Sequence, residues 1–251
     1  MGMELQGRIA LVTGGSGDIG AAIARALAQA GASVAVSYVG ERERAEKVAA
    51  EVTALGRRAW TVRLDQADAA MPEHVIAATV AHFGRLDVLV NNAAWNIGIP
   101  FADLEALTPE IWDRMYATNV RGPFLLARAA ARPLREQGGG RIVNIASVGG
   151  IYPCGSSLAY ATSKAALIHL TRCLAVALAP DVLVNCVAPS LVEGTRMAQR
   201  VPAPMREMEH RSALLGRTAR SEDIADQVVA FCRSDSVTGQ VLPVDCGLFP
   251  H

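Results

Sequence analysis

Six short apolar runs, most of them without polar alternation, recur along the chain at 8–13, 33–38, 59–64, 86–90, 141–147 and 182–187. A strand with one wet face alternates apolar and polar residues, whereas a run that stays apolar buries both faces, as strands of a parallel sheet do. Ala-rich amphipathic stretches separate these runs, at 19–30, 42–55, 73–83, 109–137, 160–178 and 221–231. Several close on glycine (Gly31, Gly56, Gly84, Gly138), the usual residue past a helix end. Parallel neighbours need a crossover, so the alternation predicts right-handed βαβ units with helices on both faces. A further run at 240–244 follows Thr238-Gly239, which brings the sheet to about seven strands. No repeat or linker interrupts the pattern. The expected fold is α/β, one doubly wound domain over residues 1–251. Segment 190–215, with Pro202, Pro204 and three methionines, is expected to form a flexible flap.

Composition narrows the partners. Half of the residues (51%) are apolar and 19% charged, too apolar for a disordered chain. The 24 basic residues equal the 24 acidic ones, so the basic excess of a nucleic-acid binder is missing. Five cysteines without a C-x-x-C pair or spaced histidines predict a reducing, cytoplasmic compartment, with neither a disulfide framework nor a metal site. Glu4 and Arg8 precede any apolar run, and no run reaches the ~18 uncharged apolar residues of a membrane span, so neither a signal peptide nor a membrane contact is expected.

The first strand runs into Thr13-Gly14-Gly15-Ser16-Gly17-Asp18-Ile19-Gly20 and then into an Ala-rich helix. Glycines let the backbone turn tightly and approach a pyrophosphate, whose charge sits against the helix N-terminus. Gly15-x-Gly17-x-x-Gly20 is the dinucleotide fingerprint in its strand–turn–helix context, which makes the domain Rossmann-type and Gly14, Ser16, Gly17, Ile19 and Gly20 candidate cofactor contacts. Asp18 would repel a pyrophosphate, and is read as a helix cap accepting backbone N–H bonds. Sites for the unphosphorylated dinucleotide carry an acid about 20 residues past the turn. Here the second strand ends Val36-Ser37-Tyr38-Val39-Gly40, with Tyr38 at that position. With no carboxylate to repel a 2′-phosphate, NADP(H) is expected over NAD(H), dual use remaining open. Arg42 and Arg44 are within reach of that phosphate and Ser37 has a hydroxyl to give, although with Glu41 and Glu43 they also read as solvated charges on a helix.

Tyr160-Ala-Thr-Ser-Lys164 opens a helix, which puts Tyr160 and Lys164 on one face, and Ser147 ends the strand before it. Together with the glycine turn, Asn91-Asn92-Ala93-Ala94 after the fourth strand, Asn119 on a helix and Pro189-Ser190 after the sixth strand, the chain resembles the short-chain dehydrogenase/reductase family over its full length. It is most similar to members like the 3-oxoacyl-[acyl-carrier-protein] reductases.

The resemblance implies an NAD(P)-dependent oxidoreductase that moves hydride between a nicotinamide cofactor and a carbonyl or secondary alcohol. It assigns Tyr160 as general acid in reduction and base in oxidation, Lys164 as the group that holds the nicotinamide ribose and lowers the Tyr160 pKa, Ser147 as the substrate-oxygen ligand, and Asn119 as the holder of a proton-relay water. A free tyrosine titrates near 10, so poising it near 7 takes ~4 kcal/mol, much of which a nearby cation can supply. The resemblance also implies that Asp65 accepts from the adenine amino group (a turn Asp is the alternative), that the backbone of Asn91 to Ala93 passes the adenosine ribose, and that Pro189, Val192 and Thr195 flank the nicotinamide. Asp18, Ser190 and Cys246 stand where the family usually has glycine.

Trp95, Val148, Cys154, Ser190, Met197 and Met205 are expected to line a moderately apolar pocket for a small carbonyl or alcohol, with simple packing as the other reading of the Trp and Met side chains. The helices at 109–137 and 160–178 are apolar on more than one face, and family members pair these helices, so a homotetramer or homodimer is expected. Two other readings compete: a non-catalytic dinucleotide sensor or scaffold, and an epimerase or dehydratase on the same nucleotide domain. The intact set of Asn119, Ser147, Tyr160 and Lys164 favours the oxidoreductase.

Overall fold

In the computed structural model, which describes residues 2–250, seven parallel strands form one sheet in the order β3-β2-β1-β4-β5-β6-β7. They are β1 (Ile9–Val12), β2 (Ser33–Tyr38), β3 (Ala59–Arg63), β4 (Val88–Asn91), β5 (Gly140–Ile145), β6 (Val182–Pro189) and β7 (Val241–Val244). The helices are α1 (Asp18–Gln29), α2 (Arg42–Ala54), α3 (Met71–Phe83), α4 (Pro109–Tyr116), α5 (Gly122–Glu136), α6 (Leu158–Leu178), α7 (Arg196–Gln199), α8 (Ala203–Ser212) and α9 (Ser221–Arg233).

The central strands are buried along their length because both faces are covered. In β1, Ala10 and Val12 join one core with residues of α1, α2 and α9, while Ile9 and Leu11 join another with residues of α3, α5 and α6. Each fully buried branched aliphatic side chain contributes about 1.5–3 kcal/mol, so these two cores set the three-layer arrangement. At the start of β4, the fully buried Asp87 carboxylate takes Arg8 at 2.9 Å, Arg85 at 2.8 Å and the Ile9 amide at 2.9 Å, which holds β4 against β1.

One expectation changes. The helix expected over 109–137 is broken: α4 ends at Tyr116, residues Ala117–Arg121 form a π-helical turn, and α5 restarts at Gly122. Segment 190–215 contains α7 and α8, since the prolines fall beside or at the starts of these helices, where a missing N–H costs nothing. By length and composition α6 is long and apolar enough to cross a membrane, but it is not an uncharged run. It carries Lys164 and Arg172, and its inner face packs into the core.

Candidate active site

The chain lays β1, β2 and β3 outward in one direction, then returns to place β4 on the other side of β1. Ligands of such sheets bind beyond the carboxyl ends of the strands where this reversal occurs. Thr13 closes that point: its hydroxyl accepts the amides of Asn92 (3.0 Å) and Ala93 (2.9 Å), and Asn92 Nδ2 returns a bond to the Thr13 carbonyl at 2.8 Å. Gly14 has φ +60°, and a Cβ on Gly20 would lie 2.3 Å from the Gly14 oxygen, so turn and helix meet at a distance only glycine permits. Gly17 is the N-cap of α1 and no side chain caps the helix, which leaves its first N–H groups facing the turn with the positive end of the helix dipole. Ser16 is buried and Ile19 half-buried beside them. This cradle fits a pyrophosphate.

Asp18 is not the cap. It is the first helical residue, and its carboxylate turns outward to Arg44 Nη2 (2.9 Å) and the main-chain N–H of Arg196 (2.8 Å). These bonds hold its pKa below the usual carboxylate value against the opposing effect of burial. Ser37 is buried, and its hydroxyl accepts the Gly14 amide at 3.1 Å, which braces the turn and leaves its O–H as a donor. Tyr38 ends β2 half-buried against the core, and Arg42 lies exposed with its Nε 2.8 Å from Glu46. Asp65, two residues beyond β3, accepts the Ala67 amide at 3.1 Å in a local turn. The Asn91 side chain points into the protein and donates to Asn144, while the Ala93 N–H and C=O are taken by Thr13 and by Gln66 Nε2 (2.9 Å). Pro189 ends β6, Val192 bridges to Ala219, and the buried Thr195 hydroxyl donates to the Val192 carbonyl and accepts the Ala198 amide, capping α7.

The proton-transfer candidates converge at the carboxyl edge of β5. Ser147 lies two residues past the strand and caps the short turn Val148–Gly150 with its hydroxyl, which also donates to the Pro189 carbonyl at 3.4 Å. Ser157 caps α6 by accepting the Tyr160 amide, so Tyr160 and Lys164 both emerge from the buried face of that helix. Ser147 is close enough to the Tyr160 phenol to lower its pKa. Lys164 Nζ donates to the Ile145 carbonyl at 2.9 Å and stands 5.6 Å from the centroid of the Tyr160 ring. An ammonium has three donors, and this bond uses one, which suits the ribose-holding role. Burial pushes Tyr160 up to about 12 against the lowering effect of Ser147, and pulls Lys164 down to about 8. Desolvation by the surrounding core outweighs the effect of Ser147, so burial favours the protonated phenol.

Asn119 sits in the π-helical turn with its side chain committed: Oδ1 accepts the Trp95 amide at 2.9 Å, and Nδ2 donates to the Trp95 carbonyl (3.0 Å) and Ser163 Oγ (3.1 Å). Trp95 is thereby fixed next to Tyr160, in an apolar cluster with Met115 and Ala159. Its indole ring lies under the Arg114 guanidinium, 4.4 Å away. Val148 is buried directly after Ser147, Cys154 is half-buried near Tyr160, and Ser190 donates its amide to Val244. Met197 and Met205 stand exposed on α7 and α8, outside the Tyr160 cluster. Among the described residues, no group of three or more His, Cys, Asp or Glu could hold a metal.

Two side chains absent from the sequence reading also belong here. Gln66 Nε2 donates to both the Ala93 and Thr118 carbonyls, tying the loop after β4 to the π-helical turn. Glu209 of α8 is half-buried beside Cys154 and accepts the Leu191 amide, and burial pushes its pKa up. Both partnerships join segments far apart in sequence, and no local spacing marks them.

A profile of the family described as enoyl-(acyl carrier protein) reductase matches residues 15–249. A Streptomyces violaceoruber protein named as a ketoacyl reductase of granaticin polyketide synthase is 42% identical over 241 residues, covering 95% of each chain. The 3-oxoacyl-[acyl-carrier-protein] reductase of Thermotoga maritima is 35% identical over 250 residues, covering 98% of this chain and 99% of the other. The crystal structure of a short-chain dehydrogenase from Burkholderia cenocepacia in complex with NADP superposes with a TM-score of 0.90 at 37% identity, covering 98% and 99% of the two chains.

Proposed function

The chain belongs to the short-chain dehydrogenase/reductase family and is an oxidoreductase that transfers hydride between a nicotinamide cofactor and a carbonyl or secondary alcohol; within that activity we propose that Tyr160, Ser147, Lys164 and Asn119 carry the proton chemistry. The observation that carries this assignment is the convergence of a buried phenol, its hydroxyl partner and a buried ammonium at the carboxyl edge of β5. Relatives named as reductases and dehydrogenases weigh against a binding-only role.

The cradle of Gly14, Gly17 and Gly20 receives the pyrophosphate, and Lys164 uses its remaining donors on the nicotinamide ribose. The nicotinamide, when bound, supplies or accepts the hydride. Ser147 donates to the substrate oxygen and so orients the carbonyl carbon. Tyr160 gives its phenolic proton to that oxygen in reduction and takes it back in oxidation. Because burial raises the phenol, Tyr160 holds its proton until a substrate oxygen takes it, and the Lys164 ammonium beside the ring would favour the phenolate left behind. Asn119 has spent its side chain on Trp95 and Ser163, so we assign the proton-relay water to its main-chain carbonyl. Pro123, which would carry the i+4 donor to that carbonyl, has no N–H.

The substrate is a small, moderately apolar ketone or secondary alcohol, supported by Trp95, Val148 and Cys154 around Tyr160. NADP(H) is preferred over NAD(H), supported by the absence of a carboxylate at Tyr38. A homotetramer or homodimer through α4, α5 and α6 is supported by the exposure of Trp112, Phe124 and Val176. A cytoplasmic location is supported by five free cysteines. A panel of ketones and secondary alcohols, followed at the reduced-nicotinamide absorbance, tests the assignment. Turnover is expected in the parent protein and not in Tyr160→Phe, and equal turnover in both would overturn the role of Tyr160.

A further inference from the structure

Asp18 occupies a position where the family usually has glycine, and its carboxylate reaches a residue 178 positions away. Oδ2 accepts the main-chain N–H of Arg196 at 2.8 Å and lies 3.5 Å from the same residue's Nε, while Oδ1 accepts Arg44 Nη2 at 2.9 Å. Arg196 Nη1 also forks onto both oxygens of Glu41, at 2.8 and 2.9 Å, and Arg44 Nη1 stands 3.8 Å from Glu41. Two carboxylates and two guanidinium groups thus join the first turns of α1, α2 and α7 in one neutral ring.

We propose that Asp18 is a positioning residue that straps the start of α7 across the dinucleotide cleft, and that this strap opens when the dinucleotide enters or leaves. The inference rests on the assignment of the glycine turn as the dinucleotide site. Its first support is the bond to the Arg196 amide. α7 has only four residues, too few to hold its place by helix formation alone, and Asp18 supplies an external acceptor for its first N–H. That peptide follows Thr195, the residue expected beside the nicotinamide, so Asp18 ties the pyrophosphate end of the cleft to the nicotinamide end. The second support is charge. A lone carboxylate beside a pyrophosphate is repulsive, and here two guanidinium groups neutralise it. The third is exposure. The four side chains are between 27% and 49% exposed, so the ring is cheap to open and sensitive to salt.

The test compares the parent protein with Asp18→Ala and Glu41→Gln. Release of NADPH is followed by stopped-flow fluorescence, and amide exchange over residues 195–200 is measured without dinucleotide. Asp18→Ala is expected to release NADPH about three- to tenfold faster, as suits the loss of one partly exposed charge-assisted contact. Its amide exchange over 195–200 should rise, and KM for the dinucleotide should change more than kcat. Glu41→Gln, which loosens Arg196 without touching α1, moves both readouts in the same direction by less. Unchanged release and unchanged exchange in a folded Asp18→Ala overturn the proposal, and if that variant does not fold, the same result in Glu41→Gln does so. A parent protein that fails to bind NADPH counts against the dinucleotide assignment, and the exchange data, taken without dinucleotide, still decide whether Asp18 fixes α7.

Discussion

Pro123 stands four residues after Asn119 and carries no N–H, so the ordinary helical donor to the Asn119 carbonyl does not exist at the turn where the helix becomes π. Pro123→Ala restores that donor while the Asn119 side chain stays tied to Trp95 and Ser163. If the carbonyl holds the relay water, kcat falls roughly tenfold or more, within the range for an impaired proton-transfer path. The cofactor KM should stay near the parent value, and Tm should hold or rise. Full kcat in a folded variant would remove Asn119 from the relay.

Tyr160→Phe deletes one oxygen and the transferable proton. Turnover should be lost while the cofactor Kd stays within a few-fold. Retention of a tenth of the activity would exclude the phenol as the acid. The same variant measures the electrostatics: because burial pushes Tyr160 up to about 12, the phenolate absorbance of the cofactor-free parent and variant should coincide at pH 10. A phenolate already present at that pH, and absent from the variant, would mean that the chain alone tunes Tyr160.

Lys164 gives stability a pH dependence of known sign. Its folded-state pKa lies near 8, below the ordinary 10.5, because burial penalises the ammonium. Between these values the unfolded chain binds a proton that the folded chain does not, so stability rises with pH through that window and is lost as pH falls through 8. Lys164→Met removes this dependence. The Tm difference between parent and variant should therefore shift in the parent's favour from pH 7 to pH 10, and a constant difference would show that the ammonium is not paying for desolvation. Activity should fall in this variant, with weaker cofactor binding.

The strands were legible because sheet burial writes a mostly apolar run into the central ones, and Ser33–Tyr38 matches its run residue for residue. Spacing also marked Ser147, Tyr160 and Lys164, whose helix and turn geometry is local. The π-helical turn was not legible in hydrophobic periodicity, since five residues at a different pitch hardly disturb the apolar stripe. Its one available signal was Gly122-Pro123 in mid-helix. Asp18 was misread because capping is a local rule, whereas its partners Arg44 and Arg196 come from α2 and α7.

Gly20→Ala should cripple the dinucleotide cradle. Alanine gains about 1 kcal/mol of helix propensity over glycine. The new Cβ, however, would lie 2.3 Å from the Gly14 oxygen and 2.7 Å from Asn92 Nδ2, and the first of these is backbone that cannot move without opening the turn. The expected result is at least about a tenfold rise in cofactor Kd, since a displacement that costs 1.4 kcal/mol already does that. Binding at parent affinity would mean that the turn is looser than its contacts indicate.

The preference between the two dinucleotides turns on which cation near β2 is free to move. Arg44 is tied to Asp18 and Glu41, and the Ser37 oxygen takes the Gly14 amide, which leaves Arg42 as the cation near β2 with the fewest ties. Arg42 lies in the open at the start of α2, four residues from its partner Glu46 on the same helix. Such an exposed, solvent-screened pair contributes little, far less than a guanidinium gains on a dianionic phosphate. Arg42 should therefore leave Glu46 for the 2′-phosphate, while the helix N-terminus adds a favourable field. Glu41, the carboxylate nearest the end of β2 along the chain, is occupied by Arg196 and is not free to accept a ribose hydroxyl. The measurement is the ratio of kcat/KM for NADPH over NADH with one accepted ketone, in the parent, in Arg42→Ala and in Arg44→Ala. The ratio should exceed one in the parent, drop about tenfold in Arg42→Ala through the NADPH value alone, as fits the loss of one phosphate contact, and change little in Arg44→Ala. A tenfold preference for NADH in the parent would reject the NADP(H) assignment. A parent preference for NADPH that survives Arg42→Ala and collapses in Arg44→Ala would move the contact to Arg44, and would mean that its bond to Asp18 breaks when the phosphate arrives.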